Sequence, residues 1–512
     1  MIRSTPFAVK LTAPRLPCRC LPVHPASADG KFLFSSNSAR AARRGVAQIT
    51  ALKPTSMNVT KLPMEWLGGC LIFFVTFVGL RASPIHQVAD SKYSMLLSER
   101  LLWHRTFSFD RAAIPWIPPQ TPGEVLIQGK NVPYQLEYVR GRFYYWFPPG
   151  TSILSVPYVA LMNAVGISTV DRNGVFSEEG ETRIQADLAA LLMAAVAALT
   201  FCTARLFLPR GWSCLIALGT AFGTQIWSTA SRALWGDTWG VFVSAIVLWL
   251  LVRADTKQLR PRPVLLATCL SWLYFTRPTF CVLIVAVAGY MLVYHRSIVV
   301  PFAVTGGLWL AAFIAYSKHH FGTLLPSYYA PGRISLKTFW QGMAGTLFSP
   351  SRGLFIYVPV LLFVAYLLVR YRSSWRMPRL VTLALGIVII YFIMIFSFPG
   401  WYAGQCYGAR YTTGLVPWFA LLGILAVDAR LRWREANPQR DSTLRWRTEW
   451  CTGVVLLFCS IAINGVGGIS PHSIWWNGMP ANVDQHQERV WDWKDPQFLR
   501  PLQPAKSFAP QR

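Results

Sequence analysis

Acidic side chains are scarce in this chain, with 22 Asp+Glu in 512 residues, and charged residues of both signs reach only 14%. An ordinary soluble domain carries about 25%, so a soluble globular fold is excluded. Cysteine supplies no framework either. Ten are present, but Cys70, Cys202, Cys214, Cys269, Cys281, Cys451 and Cys459 fall in or beside apolar runs, where the thiol packs as a small hydrophobe. No structural disulfide and no cysteine-ligated metal centre is expected. Global disorder is excluded by an apolar content of 53%.

What the chain has in excess is base: 49 Lys+Arg give a formal charge of +27 and a pI near 10.1. In a soluble chain that balance points to nucleic acid. Here the mean hydropathy is +0.35 and apolar runs recur throughout, so the bases read as loops flanking membrane helices. The expected partner is a lipid bilayer, with no nucleic acid.

Residues 1–62 carry ten bases (Arg3, Lys10, Arg15, Arg19, Lys31, Arg40, Arg43, Arg44, Lys53, Lys61) and the single acid Asp29. They read as a disordered basic segment, as a targeting peptide, or as the product of a start placed upstream of Met57 or Met64. Asn58-Val-Thr60 matches a glycosylation triplet, on the side of the membrane that the topology leaves inside.

A spanning helix needs about 20 mostly apolar residues. Candidates are 64–82, 184–208, 212–230, 236–252, 264–276, 278–294, 298–316, 354–370, 379–398, 412–428 and 450–466. Segment 148–168, broken by Pro148, Pro149 and Pro157, is ambiguous. If it stays on one side, the Arg-rich loops 253–262, 370–379 and 429–449 all become cytoplasmic, as the positive-inside rule requires. The expectation is therefore an all-α polytopic membrane protein of about eleven spans, with 148–168 an interfacial or re-entrant helix. Its domains are the basic segment 1–62, a membrane domain 63–466 with a long extracytoplasmic loop 83–183, and a short extracytoplasmic tail 467–512. Loop 317–353 dissents, since Lys318, Arg333, Lys337 and Arg352 come without an acid on the outer side. A lipid-linked phosphate would supply the reason.

Loop 83–183 is rich in Pro and aromatics, including Tyr134, Tyr138, Phe143, Tyr144, Tyr145, Trp146 and Phe147, and is expected to roof the bundle. Within it, Asp90-Ser-Lys-Tyr93 opens an amphipathic helix to about Trp103. Asp90 reads either as that helix's N-cap or, just outside the first span, as a general base for a hydroxyl nucleophile. Asp237, at the outer start of the fourth span, reads as a second site acid, a ligand for a divalent metal, or a simple partner of Arg232.

A first span followed by Asp90-Ser-Lys-Tyr93, then Phe147-Pro-Pro-Gly150 in the same loop, resembles the integral-membrane C-type glycosyltransferases. That group includes the protein O-mannosyltransferases and the lipid A aminoarabinose transferases. Ser349-Pro-Ser-Arg-Gly-Leu-Phe-Ile-Tyr357 with Pro359, and Gly400-Trp-Tyr-Ala-Gly-Gln-Cys-Tyr-Gly-Ala-Arg-Tyr411 with Pro417, resemble motifs of bacterial members. The resemblance covers roughly 63–430. It departs at Ser91, where the family often has Glu, and at Phe147, where many members have His or Lys.

The resemblance implies a sugar donor on a polyprenyl phosphate, in the cell membrane, with the active site facing outward. A glycosidase expels a poor alkoxide and needs two carboxylates. A phosphate ester, with a second pKa of about 6, leaves without being protonated, so one base and several cations suffice. Asp90 is the implied base. Lys92, Tyr93, Arg277, Arg333, Arg352, Tyr407, Arg410 and Asp237 are the implied substrate-binding residues. The product is an inverted linkage to a lipid, glycan or protein acceptor. A transporter or lipid-linked-sugar flippase, and a non-catalytic membrane assembly subunit, are the alternatives.

Overall fold

The computed structural model describes residues 62–110, 113–117, 125–329 and 334–503. Segment 1–61 and Arg333 lie outside the described residues. Every expected span is helical, with shifted ends. In order they are α1 (Leu62–Arg81), α4 (Glu178–Ala204), α5 (Arg210–Phe222), α6 (Gly236–Lys257), α7 (Pro263–Thr276), α8 (Cys281–Tyr294), α9 (Val299–Phe321), α12 (Val360–Arg370), α13 (Pro378–Phe396), α14 (Val416–Ala436) and α15 (Thr443–Ile469). Between α1 and α4 lie α2 (Ser94–His104), a three-stranded antiparallel sheet of β1 (Ser108–Phe109), β2 (Leu136–Val139) and β3 (Arg142–Tyr145), and α3 (Gly150–Ala164). The short helices α10 (Phe339–Phe348) and α11 (Leu354–Tyr357) precede α12.

Two expected spans are interrupted. Segment 354–370 breaks at Val358 and Pro359 between α11 and α12, because proline lacks the N–H that a continuous helix needs. Segment 212–230 ends as α5 at Phe222, and the chain then makes a separate π-helical turn, Ile226–Ala230.

Among the described residues, six helices are long and apolar enough to cross a membrane; α1, α7, α8 with its leading turn, and α12 are shorter apolar helices. Lipid tails do not drive apolar helices together, so close packing at small residues has to. A Cβ on Gly240 would lie 2.1 Å from the Phe280 ring, and one on Gly453 would lie 2.5 Å from the Phe363 ring. The innermost helix is α14, with 94% of its apolar window buried, while α9 at 17% faces outward.

Alternation of the spans gives the bundle two ends. At one end Gln87 N–H donates to the Arg232 carbonyl (3.0 Å), Ser335 N–H to the Ser397 carbonyl (2.7 Å) and Gln497 Nε2 to the Cys406 carbonyl (2.9 Å). At the other, Arg376 lies over Phe207, Arg379 over Tyr294, and Arg430 pairs with Asp441 and Glu449. The ambiguous helix α3 does not run between these ends. Its start abuts Phe275, and the segment after it is tied back to α2, where Thr169 N–H donates to the Glu99 carboxylate at 2.8 Å. The Arg-rich connections thus share the end opposite loop 83–183.

Candidate active site

Asp90 does not cap α2. The turn after it brings Tyr93 into the left-handed region (φ 71°) as the residue before the helix, and no side chain of that turn caps it. The free N–H groups of a helix start need acceptors, and α4 supplies them: Met95 and Leu96 N–H donate to the Glu181 carboxylate at 3.0 and 2.9 Å. Asp90 is thereby left for other partners. Arg410 Nη2 donates to its Oδ2 at 2.6 Å, the Tyr134 hydroxyl stands 3.4 Å from Oδ1, and its carbonyl accepts from the Tyr145 hydroxyl at 2.7 Å. Burial, and then the Asp90 charge, push the Tyr134 phenol well above its ordinary range, so it stays protonated and donates.

Two further loops close around this carboxylate. Arg410 stacks on Trp235, its guanidinium carbon 3.6 Å from the ring centre. Arg277, in extended backbone between α7 and α8, is ion-paired to Asp237 at the first turn of α6. Asp237 therefore pairs with Arg277 and not with Arg232, whose donors go to the carbonyls of Leu80, Ser83 and Ile85. The glycine at 150 permits this approach, because a Cβ there would sit 2.4 Å from the Phe275 carbonyl, leaving no room for α3 to start against the Arg277 hairpin.

The result is a cleft lined by Asp90, Ser91, Phe147, Thr151, Arg277, Tyr328 and Arg410, among others. Beside it runs a larger groove that shares Arg277 and Tyr328 and continues past Cys281, Ile334, Met394, Phe398 and Tyr411. A polar cleft with two arginines and a carboxylate can hold a phosphate and accept a proton. The groove can hold an apolar chain.

Of the residues singled out in the sequence, Asp90, Arg277 and Arg410 line this cleft, with Asp237 behind Arg277. Lys92 turns away to pair with Glu178 at 3.1 Å. Tyr93 is buried against Phe109 and Phe176. Arg352 is 2% exposed and donates to Ser351, Tyr402, Gly404, Asn477 and Gln497. Tyr407 is buried and donates to the Ile463 carbonyl at 2.6 Å. Arg352 thereby staples the 349–357 and 400–411 motifs to the segment after α15, and Tyr407 ties the second motif to α15 itself. Among the described residues no cluster of three or more His, Cys, Asp or Glu side chains is placed to hold a metal.

Glu181 and Gln185 of α4 were not singled out by sequence. Gln185 Nε2 donates to the Ser91 carbonyl at 2.9 Å and its Oε1 accepts from Leu234 N–H at 3.0 Å, so one amide ties the Asp90 turn to the loop that leads into α6 and Asp237. No sequence signal set them apart, because the first turns of α4 also carry Glu178, Glu179, Arg183 and Asp187.

Fold and cleft together define a polytopic, all-α membrane protein with an arginine-bordered polar cleft at one end of its bundle. No protein-family model and no curated protein matches the chain. Among solved structures it is similar to "ArnT from Cupriavidus metallidurans bound to Undecaprenyl phosphate", at 14% identity with a TM-score of 0.43, over 81% of this chain and 67% of that one.

Proposed function

We propose that this protein is a membrane glycosyltransferase that moves a sugar from a polyprenyl-phosphate donor to a lipid, glycan or protein acceptor outside the cytoplasm. One observation carries the reading: the Asp90–Arg410 pair and Arg277 share a cleft that opens, across Arg277 and Tyr328, onto an apolar groove. The donor's phosphate lies against Arg277 and its prenyl chain along the groove. The acceptor hydroxyl enters beside Asp90, whose carboxylate is oriented by Arg410 and Tyr134. The acceptor oxygen bonds to the anomeric carbon as the bond to the phosphate oxygen breaks, the proton passes to Asp90, and the electron pair leaves with polyprenyl phosphate. Attack in line inverts the anomeric centre. The leaving anion needs charge and hydrogen bonds, not a proton.

Asp90→Asn keeps the shape and removes the base. Transfer of label from a polyprenyl-phosphate sugar to envelope acceptors is expected to fall by about 10²–10⁴-fold with donor binding retained. Retained transfer removes Asp90 as base, and movement of labelled lipid across the bilayer without transfer favours a flippase. The outward-facing site is checked by cysteine labelling of residues 371–378, expected to react only from the cytoplasmic side.

A further inference from the structure

Two hydroxyls in the cleft wall stand without partners. Ser91 and Thr151 both line the cleft, are 2% and 3% exposed, and neither side-chain oxygen has a hydrogen-bond partner. Their main chains are held in place: the Ser91 carbonyl accepts from Gln185 Nε2 at 2.9 Å, and the Thr151 carbonyl from the Ser155 hydroxyl at 2.8 Å. A buried hydroxyl carries a desolvation penalty that a bound partner removes. Arg410 Nε is also buried without a partner.

The carboxylates nearby are in the opposite state. Asp90 is held by Arg410, Asp237 by Arg277, and Glu178 by Lys92. Glu181 is fully buried and accepts from Met95, Leu96 and Gln185. One oxygen of Asp237 has no partner, but Asp237 lies behind Arg277 and does not line the cleft. A cationic amine on the donor would meet two guanidinium groups, and the one carboxylate lining the cleft, Asp90, is already paired with Arg410. A neutral sugar would meet two hydroxyls able to donate and accept, and the rings of Tyr145 and Tyr328.

Resting on the glycosyltransferase reading, we infer that the cleft takes an uncharged, polyhydroxylated glycosyl group, and that Ser91 and Thr151 hydrogen-bond its hydroxyls. Sites built to bond a substrate hydroxyl discriminate strongly against the analogue that lacks it.

The test uses membranes containing the full chain and three kinds of labelled undecaprenyl-phosphate donor: neutral hexoses, their free-amine counterparts, and monodeoxy hexoses. The expected result is at least a tenfold preference, about one RT ln 10 step, for a neutral hexose over its amine. Ser91→Ala and Thr151→Val raise the KM for that hexose and shrink its advantage over at least one deoxy analogue, and Thr151→Ser restores it. Equal or better use of the amine overturns the inference. So does a uniform loss across all donors in both variants, which would assign the hydroxyls to the phosphate that every donor shares. If the unmodified protein transfers label from no donor, the glycosyltransferase reading itself falls.

Discussion

The two ends of the bundle each bury an arginine against carboxylates, and they use it differently. At the Arg-rich end, Arg430 is fully buried, with Nε on Glu449 at 2.6 Å and both terminal nitrogens on Asp441 at 3.0 and 2.9 Å. Glu449 in turn accepts from the Tyr366 and Tyr371 hydroxyls. That network is closed, and it fastens α14 to α15 across their connection. At the cleft end, Arg410 makes one bond to Asp90, leaves Nε without a partner, and lets the carboxylate side chain remain 31% exposed. The same two functional groups give a rivet where every donor and acceptor is matched, and a reactive edge where some are not.

Exchanging the two arginines for glutamine breaks this contrast most sharply. Arg430→Gln leaves Glu449 as a buried charge without its cation and Asp441 with Arg434 alone at 3.7 Å, and removal of one partner of a buried pair costs about 3–5 kcal/mol. It should lower the thermal midpoint of the purified protein. Arg410→Gln leaves a partly hydrated Asp90, so the stability change should stay near 1 kcal/mol or less, while transfer falls by about 10²-fold or more. Similar melting losses in both variants would erase the distinction between rivet and edge.

A smaller effect is expected from Gly150→Ala. The added Cβ meets the Phe275 carbonyl, so α3 must back away from the Arg277 hairpin, at about 1–3 kcal/mol. Transfer should drop with it, whereas Gly386→Ala, at a glycine with open space around it, should change neither.

The weakest expected effect concerns the hydroxyl–carboxylate contact between the sheet and the segment after α9. Ser327 donates to both oxygens of Glu137, at 2.9 and 2.8 Å. Burial raises the Glu137 carboxyl above its ordinary 4.5, opposed by the Ser327 bond. The folded chain therefore holds this proton more tightly than the unfolded one. Its contribution to stability is fully present below about 4.5 and is lost as pH rises through the raised value. Glu137→Gln should flatten that slope in melting curves taken between pH 4 and 7. An unchanged slope would assign it to another group.

The spans were legible because a bilayer admits only helices and closed barrels and these apolar runs have helical length, while the reading of the odd segment rested on the charge of the Arg-rich connections. Asp90 was legible as a candidate because an acid is conspicuous in a chain so poor in them. Its partner was not, since Arg410 lies 320 residues away and only packing brings the two together. Proximity in sequence misled at Asp237, where Arg232, five residues off, turns to carbonyls and Arg277 arrives from the next hairpin. Motif context misled at Arg352 and Tyr407, whose glycine- and tyrosine-rich surroundings read as a binding loop but form a buried joint. Thr151 carried no signal at all and Ser91 only that of a departure from the family's Glu, because a lone hydroxyl in a sequence does not reveal whether its partner is the chain or something outside it.

That joint also ties the far end of the polypeptide to the wall behind the cleft. Arg352 reaches Asn477 and Gln497, and the Gln497 amide bridges Cys406 and Ser473. Removing the chain from Asn477 onward would take two acceptors from the Arg352 guanidinium and slacken the strand of chain leading to Arg410. The stretch from Ser473 to Gln497 is less an appendage than a keystone, and an inserted tag or domain within it would pull that joint apart.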